Sequence, residues 1–165
     1  MELTFAPRGI LQIDDARITY KNFEGRGDKF NREGDRNFAL IIPTQEIADA
    51  LLDDKNDYGV SWNVKIKAPR NEGDDPFIYL PVKVRFTERG PIVYLKSGRN
   101  RQRLTDETIE ILDKIAINYI RMDIRPYDDV INGKPFRAAY LHSMEVVQEI
   151  DRFTAEYAAE EFPTE

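Results

Sequence analysis

Along most of this chain, hydrophobic and polar residues alternate with a period of two, the signature of half-buried strands. Residues 10–13 and 17–23 read as a first pair of strands turning at Asp14-Asp15. Residues 24–35 (EGRGDKFNREGD) are too rich in Gly, Asp, Asn and charge for either regular element, and form a long loop. A strand over 36–42 ends at Pro43. Thr44 then caps a helix over 45–53 whose stripe is Ile47, Ala48, Leu51 and Leu52.

Strand character returns at 60–67, with Trp62, Val64 and Ile66 on one face and Asn63, Lys65 and Lys67 on the other. A polar loop at 69–75 leads to a strand over 77–86, and Gly90-Pro91 joins that to a strand over 92–96. Thr105 is placed to cap a second helix over 106–115, through Ile109, Ile111, Leu112 and Ile115. Residues 116–130 and 136–147 form a hairpin around Asn132-Gly133, a pair suited to a turn that needs positive φ twice. Residues 145–162 space Val146, Ile150, Phe153 and Tyr157 by four, three and four, which predicts a C-terminal helix with one apolar face.

Short strands, frequent turns and two to three short helices predict a mainly β fold. An OB-type β-barrel over 1–150, elaborated with an extra hairpin, is the expected architecture, followed by an acidic helix or tail over 151–165. At 165 residues with 41% hydrophobic positions, the chain can bury a core without staples. It has no cysteine, which removes disulfides and thiolate metal sites and fits a reducing compartment. With no apolar run of membrane length and no leader after Met1, the expected location is the cytoplasm.

The net charge of −6 argues on its own against a nucleic-acid partner, but its distribution argues otherwise. Seven basic residues (Lys83, Arg85, Arg89, Lys96, Arg99, Arg101, Arg103) face one acid, Glu88, between positions 83 and 103. Seven acids face one arginine, Arg152, between 145 and 165. A concentrated basic segment therefore sits in an otherwise balanced chain.

Catalytic patterns are scarce. His142 is the single histidine, and none of the three serines (Ser61, Ser97, Ser143) sits in a nucleophile elbow. Gly25-Arg26-Gly27 lacks the third glycine of a dinucleotide loop. Asp123, Asp128 and Asp129 near Arg125, with Asp74-Asp75 ahead of a strand carrying Lys83, allow a magnesium-dependent nuclease. Acids at strand ends are more often turn and surface residues. The expectation is a binding protein without enzymatic activity, cofactor or metal.

Interleaved cations and aromatics carry the strongest signal. On the 77–86 strand, Ile78, Leu80, Val82, Val84 and Phe86 make a core face, while Phe77, Tyr79, Lys83 and Arg85 point the other way. The 17–23 strand repeats this, with Ile18 and Tyr20 on one face and Arg17, Lys21 and Phe23 on the other. Tyr94 and Lys96 extend the set, followed by Arg99, Arg101 and Arg103 in a loop opened by Gly98. The long loop adds Lys29, Phe30 and Arg32. Single-stranded nucleic acid calls for this combination, because cations track phosphates and aromatic faces stack bases at about 1–3 kcal/mol each. The plainer alternative is that these aromatics are covered by a helix or second sheet while the cations are merely solvated.

The stretches APRGILQIDDARITYKNFEGRGDKFNREGDRNFALIIP, SWNVKIK, YLKSGRNRQRL and DIRPYDDVINGKPFRAAYLHSMEV resemble a group of small bacteriophage and prophage proteins, up to about residue 150. Some members are single-stranded DNA-binding proteins. The resemblance implies an OB-type fold and work in the host cytoplasm during phage DNA replication or recombination. The implied partner is single-stranded DNA, with replication or recombination proteins recruited through the acidic C-terminus. Some phage relatives end on a terminal aromatic residue, whereas here Pro163-Thr164-Glu165 follow Phe162. The rival readings are the nuclease, a phage protein that binds only other proteins, and a β-rich virion component. An edge strand or the C-terminal helix could pair two subunits into a homodimer.

Overall fold

The computed structural model describes residues 1–150. Ten strands build one sheet: β1 (Glu2–Phe5), β2 (Leu11–Asp14), β3 (Ile18–Asn22), β4 (Arg36–Ile41), β5 (Lys65–Lys67), β6 (Phe77–Val84), β7 (Ile92–Ser97), β8 (Asn100–Leu104), β9 (Ile117–Ile131) and β10 (Lys134–Gln148). The main path runs β1-β2-β9-β10-β6-β4-β3, with β5 beside β6 and the β7–β8 hairpin branching from β10. Pairing is antiparallel except where β10 meets β6, at Tyr140 and Lys83, and β7, from Ser143–Ile92 to Val147–Lys96. The sheet is mainly β as expected, but its ladders do not close it into a barrel.

The β9–β10 hairpin is the spine. Asn132 and Gly133 both take positive φ at its turn, as the Asn-Gly pair requires. A bulge between Leu141 and Ser143 keeps alternation in step with the core: Ala139, Leu141, Met144 and Val146 are buried, so Tyr140, Ser143 and Glu145 share the outer face. Inward residues from all the longer strands join in one cluster with Ala48 and Leu51 of helix α1 (Gln45–Asp53). Thr44 caps α1 as the sequence indicates, its side chain accepting from the Ile47 N–H.

Several expectations need correction. Among the described residues α1 is the single α-helix; the segment read as a second one is a short 3-10 turn, Ile109–Asp113, in which Ile109 and Leu112 are buried. Residues 145–148 of the expected C-terminal helix belong to β10, where Val146 is buried against the sheet core; positions 151–162 lie outside the described residues. The 60–67 strand shrinks to Lys65–Lys67, and Trp62 stands outside it, fully buried while Ile66 is exposed. The apolar alternation there is broken by side-chain bonding: the Trp62 indole N–H donates to Asp54 Oδ2 (2.8 Å). The expected loop shrinks to a turn at Gly98-Arg99, since β7 and β8 pair around it and place Arg101 and Arg103 on a strand.

A clasp fixes this corner. Arg137 donates through Nε and Nη2 to the two Asp128 oxygens (2.8 and 3.2 Å) and through Nη1 to the Asp54 carbonyl (3.2 Å). Its guanidinium stacks 4.9 Å from the Trp62 ring. Burial alone would raise the Asp128 carboxyl pKa, but bonds from Arg137 and Asn56, with the arginine charge, hold it below the usual carboxylate value.

Candidate nucleic-acid interface

The face of β6 that turns from the core was expected to carry Phe77, Tyr79, Lys83 and Arg85; it carries the first three, and Arg85 follows just past the strand's end. Phe77 and Tyr79 are half-buried and lie 5.5 Å apart. Tyr20 completes a triad, edge-on to both at 6.1 and 5.6 Å. Beside it, β5 sets Lys65 opposite Tyr79 and Lys67 opposite Phe77. The Lys67 ammonium lies 5.5 Å from the Tyr20 ring centre and donates to its hydroxyl (3.4 Å).

Tyr20 reaches this face because of a backbone irregularity. It has φ of +50°, and the β3–β4 register slips between Thr19 and Asn22. That slip inverts the alternation, so Asn22 and Phe23 turn inward and Tyr20 outward. Strict period two therefore misassigns both. Phe23, expected to stack bases, has no exposed surface and stacks on Phe38 at 5.4 Å. Lys21, expected to contact phosphate, donates its ammonium to the Leu112 carbonyl (2.8 Å) and braces the 3-10 turn. Arg17 is exposed at the corner before β3, outside the groove.

The triad opens into a groove of about 780 Å³. Its floor is the outer face of β4 and β6, including Lys83, with Arg85 just past β6; its far end is Tyr140, and Asn31 and Asp35 of the 24–35 loop wall one side. The volume lies in the range of binding clefts. Lys83 and Arg125 approach the Tyr140 ring from either side, at 6.0 and 5.0 Å. Tyr127 lies 5.9 Å from Tyr140 and 6.1 Å from Phe136, extending the aromatic surface onto the hairpin. The Tyr127 hydroxyl donates to Asp129, and that bond pushes its pKa up.

The 24–35 loop is held by its own polar groups. Asn22 Oδ1 accepts from the Gly25 and Arg26 N–H groups, and Asp28 Oδ1 from those of Phe30 and Asn31 (2.7 Å each). Asn31 donates to the Arg26, Arg32 and Asp35 carbonyls. Asp113 ties the base by accepting from the Phe23 and Glu24 N–H groups. The tip presents Phe30 at 93% exposure, with Lys29 5.9 Å from its ring and Arg32 exposed nearby.

The basic hairpin forms a separate patch. Tyr94 points outward on β7, with the Arg101 guanidinium 3.9 Å from its ring centre. Arg103 pairs with Tyr94 and Lys96 with Arg101 in the ladder, and Arg99 sits at the turn. None of these lines the groove.

The acids that allowed a nuclease are dispersed in separate contacts. Asp128 holds Arg137, Asp129 accepts from Tyr127, and Asp123 accepts from Ser143 (3.3 Å). Among the described residues, no three acid or histidine side chains gather as metal ligands, and no helix is long and apolar enough to cross a membrane.

Sequence reasoning missed Tyr20, Lys65, Lys67, Arg125, Tyr127 and Tyr140. The lysines were legible, since 60–67 was read with both on its polar face. Tyr20 needed the β3–β4 slip, and Arg125, Tyr127 and Tyr140 the register of the spine.

Three similar solved structures are of a protein from bacteriophage Enc34. The single-stranded DNA-binding protein from bacteriophage Enc34 is 17% identical, with a TM-score of 0.53 and 93% of each chain covered. The same protein in complex with ssDNA gives 16% and 0.52, covering 92% of this chain and 93% of that one. Its C-terminal truncation gives 13% and 0.52, covering 90% and 91%. At such identities the likeness speaks to fold. No curated protein matches the chain. The family described as "Putative phage ssDNA-binding domain" matches residues 3–164, nearly the whole length, and the chain belongs to that family of phage single-stranded DNA-binding domains.

Proposed function

We propose that the chain binds single-stranded DNA, without catalysis, along the groove that starts at Tyr20, Phe77 and Tyr79. The observation that carries this reading is the open aromatic triad flanked by Lys65 and Lys67 at the mouth of a groove carrying Lys83 and Arg85. Bases stack on the rings while the cations follow the phosphates. The Phe30 loop, with Lys29 and Arg32, covers the strand from one side, and Tyr140, Tyr127 and Arg125 receive it at the other end. A duplex cannot offer base faces to such rings without unpairing, so the preference for single strands follows from the geometry.

The strand connections favour an elaborated OB-type topology, in keeping with the same reading. Ala16 N–H donates to the Ile120 carbonyl of β9 (2.8 Å), and one residue on the Arg17 carbonyl accepts from the Ile41 N–H of β4 (2.9 Å). Counting β2–β3 as one bent strand, the order becomes β2/3-β4-β6-β10-β9 and back, with the parallel contact between β6 and β10. We read this order as that of an OB barrel, whose binding face and loops would then correspond to the groove, the 24–35 loop and the β9–β10 hairpin. The acidic segment 151–165 would recruit replication or recombination proteins, in the host cytoplasm.

The test is fluorescence anisotropy of a labelled thirty-mer, single-stranded and then duplex, titrated at two salt concentrations. Tight, salt-sensitive binding to the single strand and much weaker binding to the duplex is expected. Flat curves for both at low salt would overturn the proposal.

A further inference from the structure

Away from the groove, the outer face of β10 carries Glu145 next to Tyr94 on one side and Arg121 on the other. Arg121 Nη2 lies 3.2 Å from Glu145 Oε1, and Arg101 Nη2 lies 3.9 Å from Oε2. The Arg101 guanidinium carbon also lies 3.9 Å from the Tyr94 ring centre. Both arginines keep more than half of their side-chain surface exposed, whereas Glu145 keeps 21%. The carboxylate is thus the sheltered member, held where two guanidinium groups converge. A cavity of about 420 Å³ opens beside them. Gln12, Asp14 and Asp123 also line it, which leaves Arg101 and Arg121 as its two cations and the place where a phosphate could sit.

An aromatic ring, two converging arginines and a cavity of this size suit one nucleotide: the base on Tyr94, the phosphate between Arg101 and Arg121. In the free protein both positions are filled from within, the ring face by Arg101 and the phosphate position by the Glu145 carboxylate. We propose that Tyr94, Arg101 and Arg121 form a second, masked nucleotide subsite, and that Glu145 is its internal phosphate mimic. The subsite rests on the groove reading, because a strand held there is what brings a nucleotide within reach. Tyr140 at the groove end and Glu145 share the outer face of β10, about 15 Å apart at the usual strand rise. A short oligonucleotide would fill the groove alone; a longer one would displace Glu145 and release Arg101 from the ring.

The experiment measures Glu145→Gln and wild type against a short oligonucleotide of about six nucleotides, near the lower end of OB-fold site sizes, and against a thirty-mer. Glu145→Gln is expected to bind the thirty-mer about two- to fivefold more tightly, the equivalent of one exposed ion pair, with a steeper salt slope. Its affinity for the short oligonucleotide should be unchanged. Adding Tyr94→Ala should abolish the gain, and matching thermal melts of all variants show that the fold is intact. An equal gain on both lengths would mean general electrostatics and overturn the subsite; so would no gain on the thirty-mer. Loss of wild-type binding to both lengths would instead sink the groove reading, and the subsite with it.

Discussion

Replacing Tyr20 and replacing Phe23 should have opposite consequences, because the slip in β3 turns them to opposite faces. Tyr20 is 54% exposed and touches Phe77 and Tyr79 only by their edges. Tyr20→Ala removes one stacking platform, about 1–3 kcal/mol of DNA affinity, or roughly 5- to 150-fold in Kd. No cation leaves, so the slope of log K against log salt should hold. Stability should fall by about 1 kcal/mol or less, since such edge contacts are worth about 0.5–1.5 kcal/mol when buried and these are half in water. Phe23→Ala empties a fully enclosed site against Phe38 and should cost about 3–5 kcal/mol of stability. The milder Phe23→Leu should lower the melting point while leaving Kd for single-stranded DNA unchanged below the transition. Anisotropy titrations on a labelled thirty-mer, paired with thermal melts by circular dichroism, read both quantities. Weakened binding by folded Phe23→Leu with full binding by Tyr20→Ala would refute the assignment of faces.

Lys83→Ala and Lys67→Ala should each flatten the salt dependence by about 0.7 in slope per phosphate lost, measured from titrations at several salt concentrations. Phe30→Ala should weaken binding with no change in melting temperature, since the ring makes almost no contact within the protein. Asp128→Asn should destabilise the fold by roughly 2–3 kcal/mol in urea unfolding, less than a fully buried pair would lose because water still reaches the carboxylate. The Asp128 pKa is lowered in the folded state, so its contribution is complete above the unfolded carboxylate pKa and fades as pH falls through the folded one. Acidification should therefore lower the wild-type melting point more than that of Asp128→Asn.

The β6 face, the capped helix and the Asn-Gly hairpin were legible because each depends on local chemistry: alternation, a hydroxyl at the cap, a turn requiring positive φ. What failed depends on pairing between distant strands. Nothing local in ITYKNF announces that β4 will slip against it at Tyr20, so Phe23 and Tyr20 exchanged roles. Tyr127 and Tyr140 look like ordinary strand aromatics until the β9–β10 register sets them side by side. The basic run at 96–103 was visible as charge, but its pairing with Tyr94 followed only from β8 folding back on β7, and its place outside the groove from β7 joining β10. Trp62 appeared as a strand residue because the sequence does not reveal that Asp54 and Arg137 will claim its ring.

The account rests on bases lying against Tyr20, Phe77 and Tyr79, and photo-cross-linking tests that most directly. A thirty-mer carrying 5-iododeoxyuridine, irradiated in complex and digested, should yield adducts at these three residues, with further ones at Phe30 or Tyr140. Adducts confined to residues away from the groove and its triad, such as the exposed Phe5 on β1, would contradict it.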